Sequence, residues 1–163
     1  MTTFDAPDAA AMRSLGRDIV GPMLTAGDLV ILSGDLGAGK TTFTQGLGEA
    51  LRVRGPVASP TFIIARTHPS EVNGPALVHV DAYRLSSLAE LDDLDLDAAL
   101  EDSVTVVEWG EGAAEQLSQD RLHVVIRRER GGELDMEAPD AGTRAVTVTG
   151  HGDRWRGAFL GDA

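Results

Sequence analysis

The stretch best equipped for chemistry is Gly34-Asp35-Leu36-Gly37-Ala38-Gly39-Lys40-Thr41. It fits G-x-x-x-x-G-K-[ST], the spacing of a phosphate-binding loop. The glycines let the backbone curl until successive N–H groups face one concavity, a shape suited to an anion. Lys40 can then reach the outer phosphates, and the Thr41 hydroxyl is a hard oxygen donor of the kind Mg²⁺ takes. Lys40 is also the sole lysine; the other thirteen of the fourteen basic residues are arginines. A compact ammonium suits a place between phosphate oxygens better than a planar guanidinium.

The carboxylates that would complete such a site stand at the ends of two apolar runs. Asp81 follows Leu77-Val78-His79-Val80, and Glu108 follows Val104-Thr105-Val106-Val107. Phosphate loops work with a strand-end acid that holds or orients Mg²⁺. Ligands of open α/β sheets lie beyond the carboxyl ends of the strands, so both acids would face the edge that Lys40 faces. For either acid alone, a solvated strand-end charge is the alternative. Ser59 and Thr61 lie on a Pro-stiffened connection where switch proteins place a hydroxyl that senses the outer phosphate, though a plain loop serves as well. A guanine-reading N-K-x-D motif needs a lysine, and none remains after Lys40; this favours ATP over GTP.

The elements that must position these groups follow from periodicity. Asp28 to Ser33 reads as a buried parallel strand leading into the loop. After the loop, Phe43, Leu47, Ala50 and Leu51 make one helical face, and the helix stops near Arg52. Gly46 and Gly48 weaken that helix unless close packing uses them. Upstream, Met12, Leu15, Ile19, Val20 and Met23 fall on one helical stripe, with Gly21-Pro22 disturbing its end. Downstream, strands are expected over 62–68, 76–80, 104–107, 122–128 and 145–149, with Gly131-Gly132 a hairpin candidate. Ser87 to Glu90 is a capping box for a short helix, a second short helix is expected near Glu111 to Leu117, and Trp155 and Phe159 are spaced for a third. The expected fold is α/β: a small phosphate-loop NTPase with a mixed, mostly parallel sheet between helices and antiparallel C-terminal strands.

Composition bounds the function. The 163 residues suggest a single domain spanning 1–163. A net charge of −12 opposes direct gripping of RNA or DNA and of anionic membranes. There is no cysteine, hence no disulfide or thiolate chemistry. Met1 to Ala11 lacks the regions of a signal peptide, and no apolar run approaches membrane-spanning length; a cytoplasmic protein is the expectation. His68, His79, His123 and His151 have no metal-ligand spacing and read as surface or strand histidines. Trp155 and Phe159 read as core. The acidic stretch from Glu90 to Asp102 is a solvated face or a docking surface for a basic partner.

Five blocks in order carry a resemblance: Gly34 to Thr42; Ser59-Pro60-Thr61-Phe62; His79 to Leu85; Glu90 to Leu94; and Val107-Glu108-Trp109. Together they resemble the TsaE (YjeE) family, bacterial ATPases needed for threonylcarbamoyl modification of the tRNA adenosine beside the anticodon. The resemblance implies that Gly37, Ala38, Gly39, Lys40, Thr41 and Thr42 wrap the ATP phosphates. It implies Thr41 and Glu108 as Mg²⁺ ligands, with Lys40, Asp81 and Glu108 serving catalysis and Asp81 acting on the metal shell or the attacking water. Arg144 matches a family position near the nucleotide. The family works with TsaB and TsaD, TsaD carrying the transfer, so tRNA would be met only through the complex. Pro7 to Ala11 lacks the polar side chain that relatives often offer the nucleotide, and Asp95 stands where relatives usually have glycine.

Arg84 is a candidate for completing the outer-phosphate site in cis. A small-molecule kinase is the alternative activity, since such kinases share this size and loop. It would need an arginine-bearing lid, and the alternation within Arg121 to Arg130 suggests a strand instead. A nucleotide-sensing module without useful hydrolysis is a third reading.

Overall fold

The computed structural model describes residues 1–34, 39–55, 57, 65–81, 101–108, 119–128 and 143–156. Among these, seven strands form one sheet: β1 (Thr2–Ala6), β2 (Leu29–Gly34), β3 (Ala65–His68), β4 (Ala76–Asp81), β5 (Ser103–Glu108), β6 (Arg121–Arg128) and β7 (Arg144–His151). Their order across the sheet is β1-β7-β6-β2-β5-β4-β3. The pairs β6/β2, β2/β5 and β5/β4 are parallel, and β1/β7, β7/β6 and β3/β4 are antiparallel. The mixed sheet with antiparallel strands toward the C-terminus is the one the sequence predicts.

Central β2 shows why a parallel strand reads as an unbroken apolar run. Leu29, Val30, Ile31 and Leu32 are all fully buried, so both faces are covered. Val30, Leu32, Val104, Val106, Leu122 and Val124 share one face, where they pack with Phe43 and Leu47 of helix α2 (Lys40–Leu51) and with Met12 and Leu15. The helix closes where expected. Arg52 adopts a left-handed backbone (φ 55°), and the Val53 N–H returns to the Gly48 carbonyl at 3.1 Å.

Two features depart from the sequence expectation. No pattern in the sequence signals β1, an edge strand of five residues whose register, Thr2 with Val148 to Ala6 with Arg144, comes from β7. The first helical stripe is also not one continuous α-helix. It begins as α1 (Ala9–Ser14), capped by the Asp8 carboxylate on the Ala11 N–H at 2.8 Å. It then widens into a π-helical stretch, Leu15–Val20, and tightens to a 3-10 turn, Gly21–Met23. Met12, Leu15 and Val20 stay buried, but Ile19, within the wide stretch, and Met23, after it, are exposed, because a wider turn departs from the 3.6-residue period that the stripe assumes.

Close packing explains the helical glycines. A Cβ on Gly46 would fall 2.1 Å from the Arg13 carbonyl oxygen, and one on Gly16 would fall 2.3 Å from that of Phe43. The N-terminal helical segment therefore crosses α2 with backbones nearly touching, and Gly46 is a requirement of the fold and not a weakness in it. Trp155 is core, as expected. The Gly131-Gly132 hairpin candidate, the short helices expected near 87–90 and 111–117, and Phe159 lie outside the described residues.

Candidate functional site

The loop's exit is fixed from both sides. Gly39 has φ 114°, a conformation costly for any other residue, and a Cβ there would lie 3.2 Å from the Met12 methyl carbon. It serves as the N-cap of α2 without a side chain, and the first turn, Lys40-Thr41-Thr42, holds no acid. The N-terminal end of a twelve-residue helix thus carries its partial positive charge beside a lysine. Lys40 is itself 7 % exposed and donates from Nζ to the Gly34 carbonyl at 2.7 Å. The side chain thus reaches back to the end of β2. A cation held where the helix field is already positive is a poor choice for stability alone and suits an anion lying between them.

Across the same edge, β5 ends in Glu108. Its neighbours in register are Leu32 on β2 and Asp81 on β4, so the two acids predicted at strand ends stand side by side on adjacent parallel strands. Register partners share a face, which puts both positions on the face that α2 covers. Glu108 is 4 % exposed, and its Oε2 meets Nε2 of the fully buried His79 at 2.9 Å. A carboxylate this buried needs partners, and a cation is the natural complement to the one histidine it has among the described residues. Thr41 lies half-buried in the first turn of α2, where its hydroxyl adds a second oxygen donor of the type Mg²⁺ prefers.

Arg144 opens β7 and is 6 % exposed. Its register partners are Ala6 on β1 and Arg128 on β6, while Ile126, two residues back along β6, pairs with Gly34. Arg144 therefore stands on the loop's edge of the sheet, two strands from β2, or ~10 Å sideways at ordinary strand spacing. Of the predicted site, Gly39, Lys40, Thr41, Thr42, Asp81, Glu108 and Arg144 come to one edge. Gly37, Ala38, Ser59, Thr61, Arg84, Asp95 and most of the acidic stretch lie outside the described residues. Of the segment that could be mistaken for an arginine-bearing lid, Arg121–Arg128 forms β6, paired on both sides, and the rest lies outside the described residues.

All four histidines stand on strands, yet two are far from the surface. His79 supports Glu108, and His68, 5 % exposed, places Nδ1 3.3 Å from the Arg54 carbonyl. Burial holds the His68 imidazole below its ordinary pKa, against the Arg54 contact and aided by nearby His79 and Arg66. Residue type alone does not single out His79. The available signal is alternation, since His79 stands two positions before Asp81, with Val80 alone between them, so both must share a face.

Comparison with known proteins places these features in a lineage. A family model described as "Threonylcarbamoyl adenosine biosynthesis protein TsaE" matches residues 6–135. A tRNA threonylcarbamoyladenosine biosynthesis protein TsaE from Streptomyces coelicolor is 61 % identical over 145 residues, covering 88 % of this chain and 93 % of that one. The Bacillus subtilis protein of the same name is 42 % identical over 119 residues, covering 72 % and 73 %. A crystal structure of Bacillus subtilis YdiB superposes with a TM-score of 0.69 at 30 % identity, covering 94 % of this chain and 88 % of that one. The sheet and α2 are those of a small phosphate-loop NTPase.

Proposed function

This chain belongs to the TsaE family, which serves threonylcarbamoyladenosine biosynthesis, and from that premise we propose that it is a Mg²⁺-dependent ATPase working beside TsaB and TsaD. The observation that carries the reading is the single sheet edge that Lys40 and the α2 N-terminus share with Glu108 and the Asp81 position. One side attracts a polyphosphate, and the other offers carboxylates for its magnesium. Thr41 and Glu108 would hold the ion, which would draw charge from the phosphates. Gly37 to Thr42 would wrap the triphosphate, and Lys40 would meet the outer phosphates. Asp81, one strand over from Glu108, would orient the attacking water. Arg144 would approach the nucleotide from the β7 side.

A −12 chain is a poor binder of RNA by itself, so tRNA would be handled by the partner proteins. The acidic composition suits docking on a basic partner, which could also supply a cation to the outer phosphate. Cytoplasmic residence fits this role; among the described residues, no helix is long and apolar enough to cross a membrane.

Phosphate release measured with and without TsaB and TsaD tests the proposal. Slow turnover alone and a rise with both partners are expected. Equal turnover in the two conditions would overturn the partner role. A phosphorylated metabolite appearing in step with ATP loss would point to the kinase alternative.

A further inference from the structure

His79 is buried at a disadvantage unless its bond to Glu108 matters. The ring is fully enclosed, and Nδ1 is sealed from solvent with no hydrogen-bond partner among the described residues. A leucine would fill such a place without stranding a polar nitrogen, so packing does not account for the imidazole. What the ring gains is the 2.9 Å bond from Nε2 to Glu108 Oε2. The sheet builds this bond directly. His79 lies beside Val106 and Asp81 lies beside Glu108, so the histidine sits one pleat back from the acid on the same face.

The bond has a directional consequence. With Oε2 accepting from the ring, one carboxylate oxygen is committed to the protein and Oε1 is the oxygen left for another partner. A glutamate has several rotamers at a strand end, and a fixed imidazole selects among them. Histidine–carboxylate pairs commonly orient metal ligands in this way, and loss of the outer partner typically weakens metal affinity by about 10–100-fold.

We infer that His79 is a positioning residue that sets Glu108 so that its second oxygen is presented to Mg²⁺. This rests on the reading of Glu108 as a magnesium ligand given above. The inference is tested by calorimetric binding of a non-hydrolysable ATP analogue, first without Mg²⁺ and then across a Mg²⁺ titration. The proteins compared are wild type, His79→Leu, His79→Gln, His79→Asn and Glu108→Gln, each checked for folding by its thermal melt.

In His79→Leu, binding without Mg²⁺ should equal wild type, and the Mg²⁺ midpoint should rise about tenfold. His79→Gln, whose amide nitrogen can stand in for Nε2, should recover most of that shift. The shorter His79→Asn should not. If His79→Leu does not fold, the Gln–Asn contrast decides the matter. A midpoint unmoved in His79→Leu, or equal in Gln and Asn, overturns the inference while leaving Glu108 as a ligand if Glu108→Gln still shifts it. If Glu108→Gln leaves the midpoint at the wild-type value, the magnesium reading itself fails.

Discussion

The sheet carries buried charge at both of its ends, and the two ends treat it differently. At the lower edge, Asp28 is 5 % exposed and its carboxylate is met repeatedly: by the Thr25 N–H at 2.7 Å and by Nε and Nη2 of Arg154, each at 3.3 Å. Arg154 is also tied to the Met23 carbonyl at 2.8 Å and lies over the Trp155 ring, 4.3 Å from its centroid. At the upper edge, equally buried Glu108 has one hydrogen bond among the described residues, through one oxygen. One cluster is saturated by its own chain and ties the C-terminal turn to the start of β2. The other is left with capacity to spare. Burying a carboxylate costs much the same at either edge, so the unsaturated one marks where a ligand is expected.

Substitutions can break this contrast. The largest effect is expected for Lys40→Ala, which should lower phosphate release by about 10³-fold and abolish nucleotide binding at ordinary concentrations, with little change in the melt. Glu108→Gln should come next, with hydrolysis about 10²-fold lower and nucleotide binding without Mg²⁺ nearly intact. Asp81→Ala should likewise lose hydrolysis while keeping affinity in a binding titration; an affinity loss as large as that of Lys40→Ala would remove Asp81 from the role given to it.

The lower edge should respond in the opposite sense. Asp28→Ala should cost about 2 kcal/mol in denaturant unfolding and leave turnover per folded molecule unchanged. An equal loss of turnover would erase the distinction between the edges. The smallest effect concerns His68, buried on β3 and pairing with Leu77 near the start of β4. Its folded pKa lies below the ordinary 6.5, so the unfolded chain binds more protons as pH falls. Its contribution should be complete above pH 6.5 and be lost as pH drops from there toward the folded value. Unfolding free energy measured from pH 7.5 to 5.5 should fall further in wild type than in His68→Gln.

Much of the candidate site was legible because its signals are local. Loop spacing fixes where Lys40 and Thr41 stand relative to one strand and one helix, and an apolar run followed by an acid reads as a strand tip within a few residues of chain. The short edge strand β1 was not legible, since five residues with weak alternation acquire their conformation from pairing with β7. Ile19 and Met23 escape the helical stripe for a related reason. Helical periodicity assumes a constant turn, and the wide turn over Leu15–Val20 belongs to a segment whose glycine-lined crossing on α2 comes from the assembled fold.

The sequence by itself determined the types and local order of the groups: one lysine after a glycine loop, hydroxyls after it, and two acids closing two strands. Only the tertiary structure decided their neighbours. Asp81 stands beside Glu108 because β4 and β5 pair in that register, and His79 reaches Glu108 across the same pairing. Backbone preferences act over a few residues, whereas strand order and register are chosen by the burial of whole apolar faces. The chemistry was therefore written along the chain, and its convergence at one edge came from folding.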